Sequence, residues 1–70
     1  MYFHERLKEL RINSALLQKD IAELLGVSVR TFQGWETGRS EPSIEKIIKI
    51  AEVFQVSLDY LFARSDNPNP

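Results

Sequence analysis

The chain has 70 residues, 43% of them apolar, with no cysteine and a formal net charge of −1. A chain this short makes one domain and buries only about 60% of its unfolded surface, so its stability is modest. The composition excludes a disulfide framework and a thiolate metal site. No apolar run reaches the ~18 residues needed to cross a membrane, and the charged, amphipathic start MYFHERLKEL is unlike a secretion signal. The expectation is a cytoplasmic protein with no membrane partner.

Residues 3–14 place Phe3, Leu7, Leu10 and Ser14 at helical spacing, with Glu5, Arg6, Lys8 and Glu9 on the outer face. This predicts a first helix with one buried stripe, and Arg11 sits beside that stripe. His4, the only histidine, reads as a solvated first-turn residue, because nothing supplies a second ligand of its kind. Asn13-Ser14-Ala15 breaks the pattern. A second helix over about 18–25 buries Ile21, Ala22 and Leu25. Leu17 stands at its start in place of a capping Ser or Thr, a loss of about 1 kcal/mol. Leu24 falls off the buried stripe.

Gly26 can take the positive φ that ends a helix. Val27 plugs the corner, and Ser28 caps the third helix, 29–37. Two helices joined by so short a turn meet at a steep angle, as in a helix-turn-helix, whose second helix projects into a DNA major groove. Phe32 and Trp35 read as core. The opposite face carries Val29, Arg30, Gln33 and Gly34. Gly34 removes bulk where something approaches closely, and DNA backbone is one candidate.

A turn over 38–42 leads to Ser43, which caps a fourth helix. Ile44, Ile47, Ile48, Ala51 and Phe54 form its apolar face, with Lys46, Lys49 and Glu52 towards water. Ser57 caps a short fifth helix. Leu58, Tyr60, Leu61 and Phe62 cannot all enter so small a core, so part of that group predicts an exposed interface patch. Residues 1–64 are read as the domain. Residues 65–70 hold no apolar side chain and read as a disordered tail or linker start.

Charge alone argues mildly against nucleic acid. Residues 1–39 carry six basic and five acidic groups, and residues 40–70 carry three and five. Acidic groups on the far side would leave a few placed contacts and a shallow salt dependence.

The run Gln18…Ala22…Leu25-Gly26-Val27-Ser28…Phe32…Trp35-Glu36…Gly38, with Pro42-Ser43, Ala51 and Val56-Ser57-Leu58-Asp59-Tyr60-Leu61, resembles the lambda-repressor-like helix-turn-helix regulators of the Cro/CI or XRE type. The resemblance covers about residues 5–63. It implies an all-α, compact five-helix domain that binds a double-stranded DNA operator as a homodimer, without a cofactor. It implies phosphate contacts from Gln18, Thr37, Gly38 and Arg39, and base contacts from Ser28, Val29, Arg30, Gln33 and Gly34. It also implies an ion pair between Arg11 and Glu36, and a dimer contact through Leu58, Tyr60 and Leu61. Three positions depart from the family pattern: Leu17 replaces the cap, Ala15 a turn glycine, and Gly34 a long side chain.

Three functions follow from these residues. The first is a sequence-specific transcriptional regulator, a repressor of bacterial or phage type acting on a pseudo-palindromic operator. The second is a protein-interaction module, such as an antitoxin, that binds a protein partner through the Leu58–Phe62 patch. The third, an enzyme, has no support: no nucleophile pairs with His4, no glycines form a phosphate loop, and no carboxylate pair has a pocket. No metal site is expected either.

Overall fold

The computed structural model describes residues 1–69; Pro70, part of the expected tail, lies outside the described residues. Five helices follow one another: α1 (Phe3–Asn13), α2 (Gln18–Leu25), α3 (Val29–Thr37), α4 (Ile44–Phe54) and α5 (Leu58–Leu61). Among the described residues there is no strand.

Local chemistry sets most of the boundaries. Ser28, Ser43 and Ser57 precede α3, α4 and α5, and each hydroxyl accepts the N–H three residues on, at 3.0, 3.2 and 3.0 Å. Each bond satisfies one of the orphan donors of a helix start. The hydroxyl missing at Leu17 is partly replaced. The Asp20 carboxylate reaches back to accept the Leu17 N–H at 3.0 Å, which is half of a capping box. Gly26 ends α2 at φ 71°, and the Val27 N–H returns to the Ala22 carbonyl at 3.0 Å, as in a Schellman turn. Lys46 then reaches over from α4 and donates its Nζ to the Leu25 carbonyl at 2.7 Å. A cation there offsets the negative end of the α2 dipole.

The core lies where all five helices meet. Leu7, Ile21, Leu25, Phe32, Ile50 and Leu61 are fully buried, joined by Ala22, Trp35, Ala51 and Val56. Phe32 and Trp35 pack edge to face, with ring centres 6.0 Å apart, the geometry their ring quadrupoles favour.

Several expectations are corrected. Ser14 is exposed and caps α1 rather than extending its stripe. Arg6, expected on the outer face, is 5% exposed. Its guanidinium lies 3.7 Å from the Tyr60 ring centre and donates to the Tyr60 carbonyl at 2.8 Å, so charge and backbone partner are both satisfied. His4 is half-buried, its ring packed against Gly38. On α4 the buried face is rotated: Ile50 enters the core, while Ile44 is 77% exposed. Lys46 is half-buried because it is committed to Leu25. Apart from these corrections, the Pro68 carbonyl accepts the Ser57 N–H at 3.1 Å and Asn69 borders the α4–α5 groove.

Candidate nucleic-acid interface

α2 and α3 form a corner at Gly26-Val27-Ser28, and α3 shows one long side to solvent. Ser28, Val29, Arg30, Gln33, Thr37, Gly38 and Arg39 are all exposed along it, and Gln18 is half-buried beside Gln33 at the start of α2. Gly34 is the exception. It is buried beneath its own chain, with Ser40 and Arg39 packed over it. The close approach that its missing side chain permits is therefore made by the 39–40 turn.

Behind this surface runs a chain of hydrogen bonds. Arg11 donates Nε to Glu36 Oε2 at 2.7 Å and Nη2 to Oε1 at 3.2 Å, a bidentate pair, and donates Nη1 to the Leu16 carbonyl at 3.0 Å. Gln18 Nε2 donates to Glu36 Oε1 at 2.9 Å, and Gln33 Nε2 donates to Gln18 Oε1 at 3.0 Å. The direction of the relay is dictated by its inner end. A carboxylate paired with Arg11 only accepts. Gln18 must therefore present its amide nitrogen to Glu36 and its oxygen outwards. Gln33 in turn must donate to that oxygen, which leaves its own Oε1 and one N–H for solvent or a ligand. Sequence periodicity gives no sign of this coupling, because residues 18 and 33 are on different helices.

The backbone donors of the turn after α3 point inwards. The N–H groups of Gly38, Arg39 and Ser40 all meet the Gly34 carbonyl, the last two at 3.0 and 3.2 Å. The Thr37 hydroxyl donates to the same oxygen at 3.3 Å. What this turn offers outwards is the Arg39 side chain.

The residues expected at a dimer contact separate. Leu58 is 46% exposed and borders an open groove with Ile48, Ala51, Gln55 and Val56. Tyr60 is half-buried under Arg6. Leu61 is fully buried and belongs to the core, one helical turn inward from Leu58. Among the described residues no cluster of three or more His, Asp or Glu side chains could hold a metal, and no helix is long and apolar enough to cross a membrane.

Two short helices at a tight corner, the second laid open along its length, define a helix-turn-helix domain. The family model described as Helix-turn-helix matches residues 7–61. The chain is 30% identical over 66 residues to the Bacillus subtilis "Uncharacterized HTH-type transcriptional regulator YobD", covering 94% of this chain and 59% of that one. It is 37% identical over 62 residues to the "Uncharacterized HTH-type transcriptional regulator MJ0272" of Methanocaldococcus jannaschii, covering 89% and 94%. The crystal structure of the P22 c2 repressor protein in complex with a synthetic operator superposes with a TM-score of 0.85 at 26% identity, over 93% of this chain and 98% of that one. The chain belongs to the helix-turn-helix family, in its five-helix lambda-repressor-like, XRE-type form. It spans 59% of the length of YobD.

Proposed function

We propose that the protein is a sequence-specific DNA-binding transcriptional regulator, a repressor in the first instance, that places α3 in the major groove. The observation that carries this reading is the exposed side of α3, backed by a hydrogen-bond relay that runs from buried Glu36 through half-buried Gln18 to exposed Gln33 and orients its polar groups. Such orientation suits base reading, where a bidentate pair must meet fixed donors and acceptors. The outward Oε1 and N–H of Gln33 match the N6 donor and N7 acceptor of adenine. Val29 suits a thymine methyl, and Arg30 suits guanine or a phosphate. Ser28 borders the same edge. Gln18 and the start of α2 are assigned to phosphate; Thr37 and Gly38 flank the other end, where a phosphate contact requires the Thr37 hydroxyl or the Gly38 N–H to leave the Gly34 carbonyl. The P22 c2 repressor, solved with an operator, lends the analogy its weight.

Two copies meet through the exposed apolar edge of Leu58 and Ile48, which is the kind of uncovered patch that marks an interface. Two-fold symmetry then requires a pseudo-palindromic site with half-sites about 34 Å apart. The role is one of binding rather than catalysis, and the location is cytoplasmic. Selection of bound sequences from random duplex DNA near 0.1 M salt tests the reading. It predicts a symmetric motif with half-sites one helical turn apart. No enrichment by a protein shown to be folded would defeat it.

A further inference from the structure

Gly34 is buried even though it lies one turn beyond exposed Arg30 on the outward side of α3. Residues four apart on a helix are neighbours on one face, so a side chain at 34 would stand next to that of Arg30. The space is filled from elsewhere in the chain. Gly38, left-handed at φ 78°, reverses the backbone, and three successive N–H groups wind back onto the Gly34 carbonyl. This winding lays Arg39 along α3. A Cβ built at Gly34 would lie 3.1 Å from Arg39 Nη2 and 3.6 Å from its Nε, and 2.7 Å from Ser40 Oγ. The Arg39 guanidinium thus sits where the side chain of residue 34 would begin. Among the described residues it has no ion-pair partner.

The structure assigns Arg39 to base recognition: seated over Gly34, one turn on from Arg30, its guanidinium is a guanine-reading group of the α3 surface rather than a phosphate contact. Gly34 is the opening that admits it. The assignment rests on the DNA-binding reading above. A guanidinium offers a planar fork of donors, and guanine presents two acceptors, O6 and N7, at matching spacing in the major groove. The same fork also fits a phosphate, so the case for a base is the place of the guanidinium, laid over Gly34 on the outward side of α3. The fold spends two features on placing the fork: a residue without a side chain at 34, and a left-handed glycine at 38.

The test measures binding of the wild type, Arg39→Lys, Arg39→Ala and Gly34→Ala to duplexes carrying each single base-pair change in the site recovered by selection. Trp35 fluorescence verifies the fold of each variant. The wild type should reject changes at one symmetry-related G·C pair by roughly 5- to 150-fold. Arg39→Lys should lose that discrimination at that pair alone, with the salt slope kept because the charge remains. Gly34→Ala, whose methyl group clashes with Ser40 Oγ and crowds the guanidinium, should weaken discrimination at the same pair. Should Gly34→Ala fail to fold, the lysine variant decides alone. Discrimination kept everywhere by Arg39→Lys overturns the assignment. So does an equal weakening on all duplexes by Arg39→Ala with the salt slope reduced by about one, the mark of a phosphate contact. A wild type that binds every duplex alike is a different failure, because it removes the DNA-reading function itself and the assignment with it.

Discussion

Replacing Arg11 by Met should destabilise the domain by about 3–5 kcal/mol, the usual cost of leaving a buried charge without its partner. The Glu36 side chain is 2% exposed and that of Arg11 12%. Removing Arg11 leaves Glu36 with a single donor, Gln18 Nε2 at 2.9 Å, and strips the Leu16 carbonyl of its 3.0 Å bond. Met retains the aliphatic bulk of the stem, so the loss measured is electrostatic. A 70-residue domain has a total stability of roughly 3.5–10 kcal/mol, so the variant should be close to unfolding at 25 °C. Its Tm should fall by at least about 12 °C. Trp35 is the single tryptophan and is buried against Phe32, so its fluorescence in a urea titration reports unfolding directly. At about 1 kcal/mol per M for a domain of this size, the midpoint should drop by roughly 3–5 M, or the variant be unfolded without urea. The double variant Arg11→Met/Glu36→Leu should cost clearly less than the sum of its singles, since no charge is left stranded. A loss under about 1 kcal/mol for Arg11→Met would mean that solvent screens the pair, and the reasoning from burial would be wrong.

Leu17 is exposed at the start of α2 and provides no hydroxyl. Leu17→Ser should complete the capping box with Asp20 and raise stability by about 0.5–1 kcal/mol in the same titration; a decrease would show that Leu17 is held by packing. Ala15 and Gln55 are exposed and adopt φ of 56° and 55°, a region that costs any residue with a Cβ about 1–2 kcal/mol. Ala15→Gly and Gln55→Gly should each give a net gain of about 0.5–1 kcal/mol after the greater freedom of glycine in the unfolded chain, read as a rise in urea midpoint. Leu58→Asp should leave the urea midpoint unchanged and convert a two-site footprint on DNA into half-site binding, measured by sedimentation of the complex. An unaltered stoichiometry would place the dimer contact elsewhere.

Helix ends are legible in the sequence because their signals are local. Ser43 and Ser57 each carry the cap that the structure shows, and Gly26 carries the turn. The buried face of α4 is not legible in detail, because apolar residues stand at 44, 47, 48, 50, 51, 53 and 54 and cover more than half of the helix circumference. Only packing against the other helices selects Ile50 over Ile44. Arg6 reads as a surface charge because its partner, Tyr60, lies 54 residues away. Leu61 could not be told from Leu58 within so short a helix. The outline of the candidate site is legible from the helix-turn-helix spacing. The relay from Glu36 through Gln18 to Gln33, and the seating of Arg39 over Gly34, are not. They arise from contacts between segments that no periodicity links.

The most direct test of the central claim is backbone amide shift mapping by NMR during titration with duplex DNA carrying the selected site. The largest shifts should fall at Gln18, along Ser28–Gln33 and at Thr37–Arg39, with the Gln18 and Gln33 side-chain amides moving together. Shifts centred instead on Ile48 and Leu58, or no shifts at saturating duplex, would contradict the assignment of α3 and its flanks as the DNA-binding face.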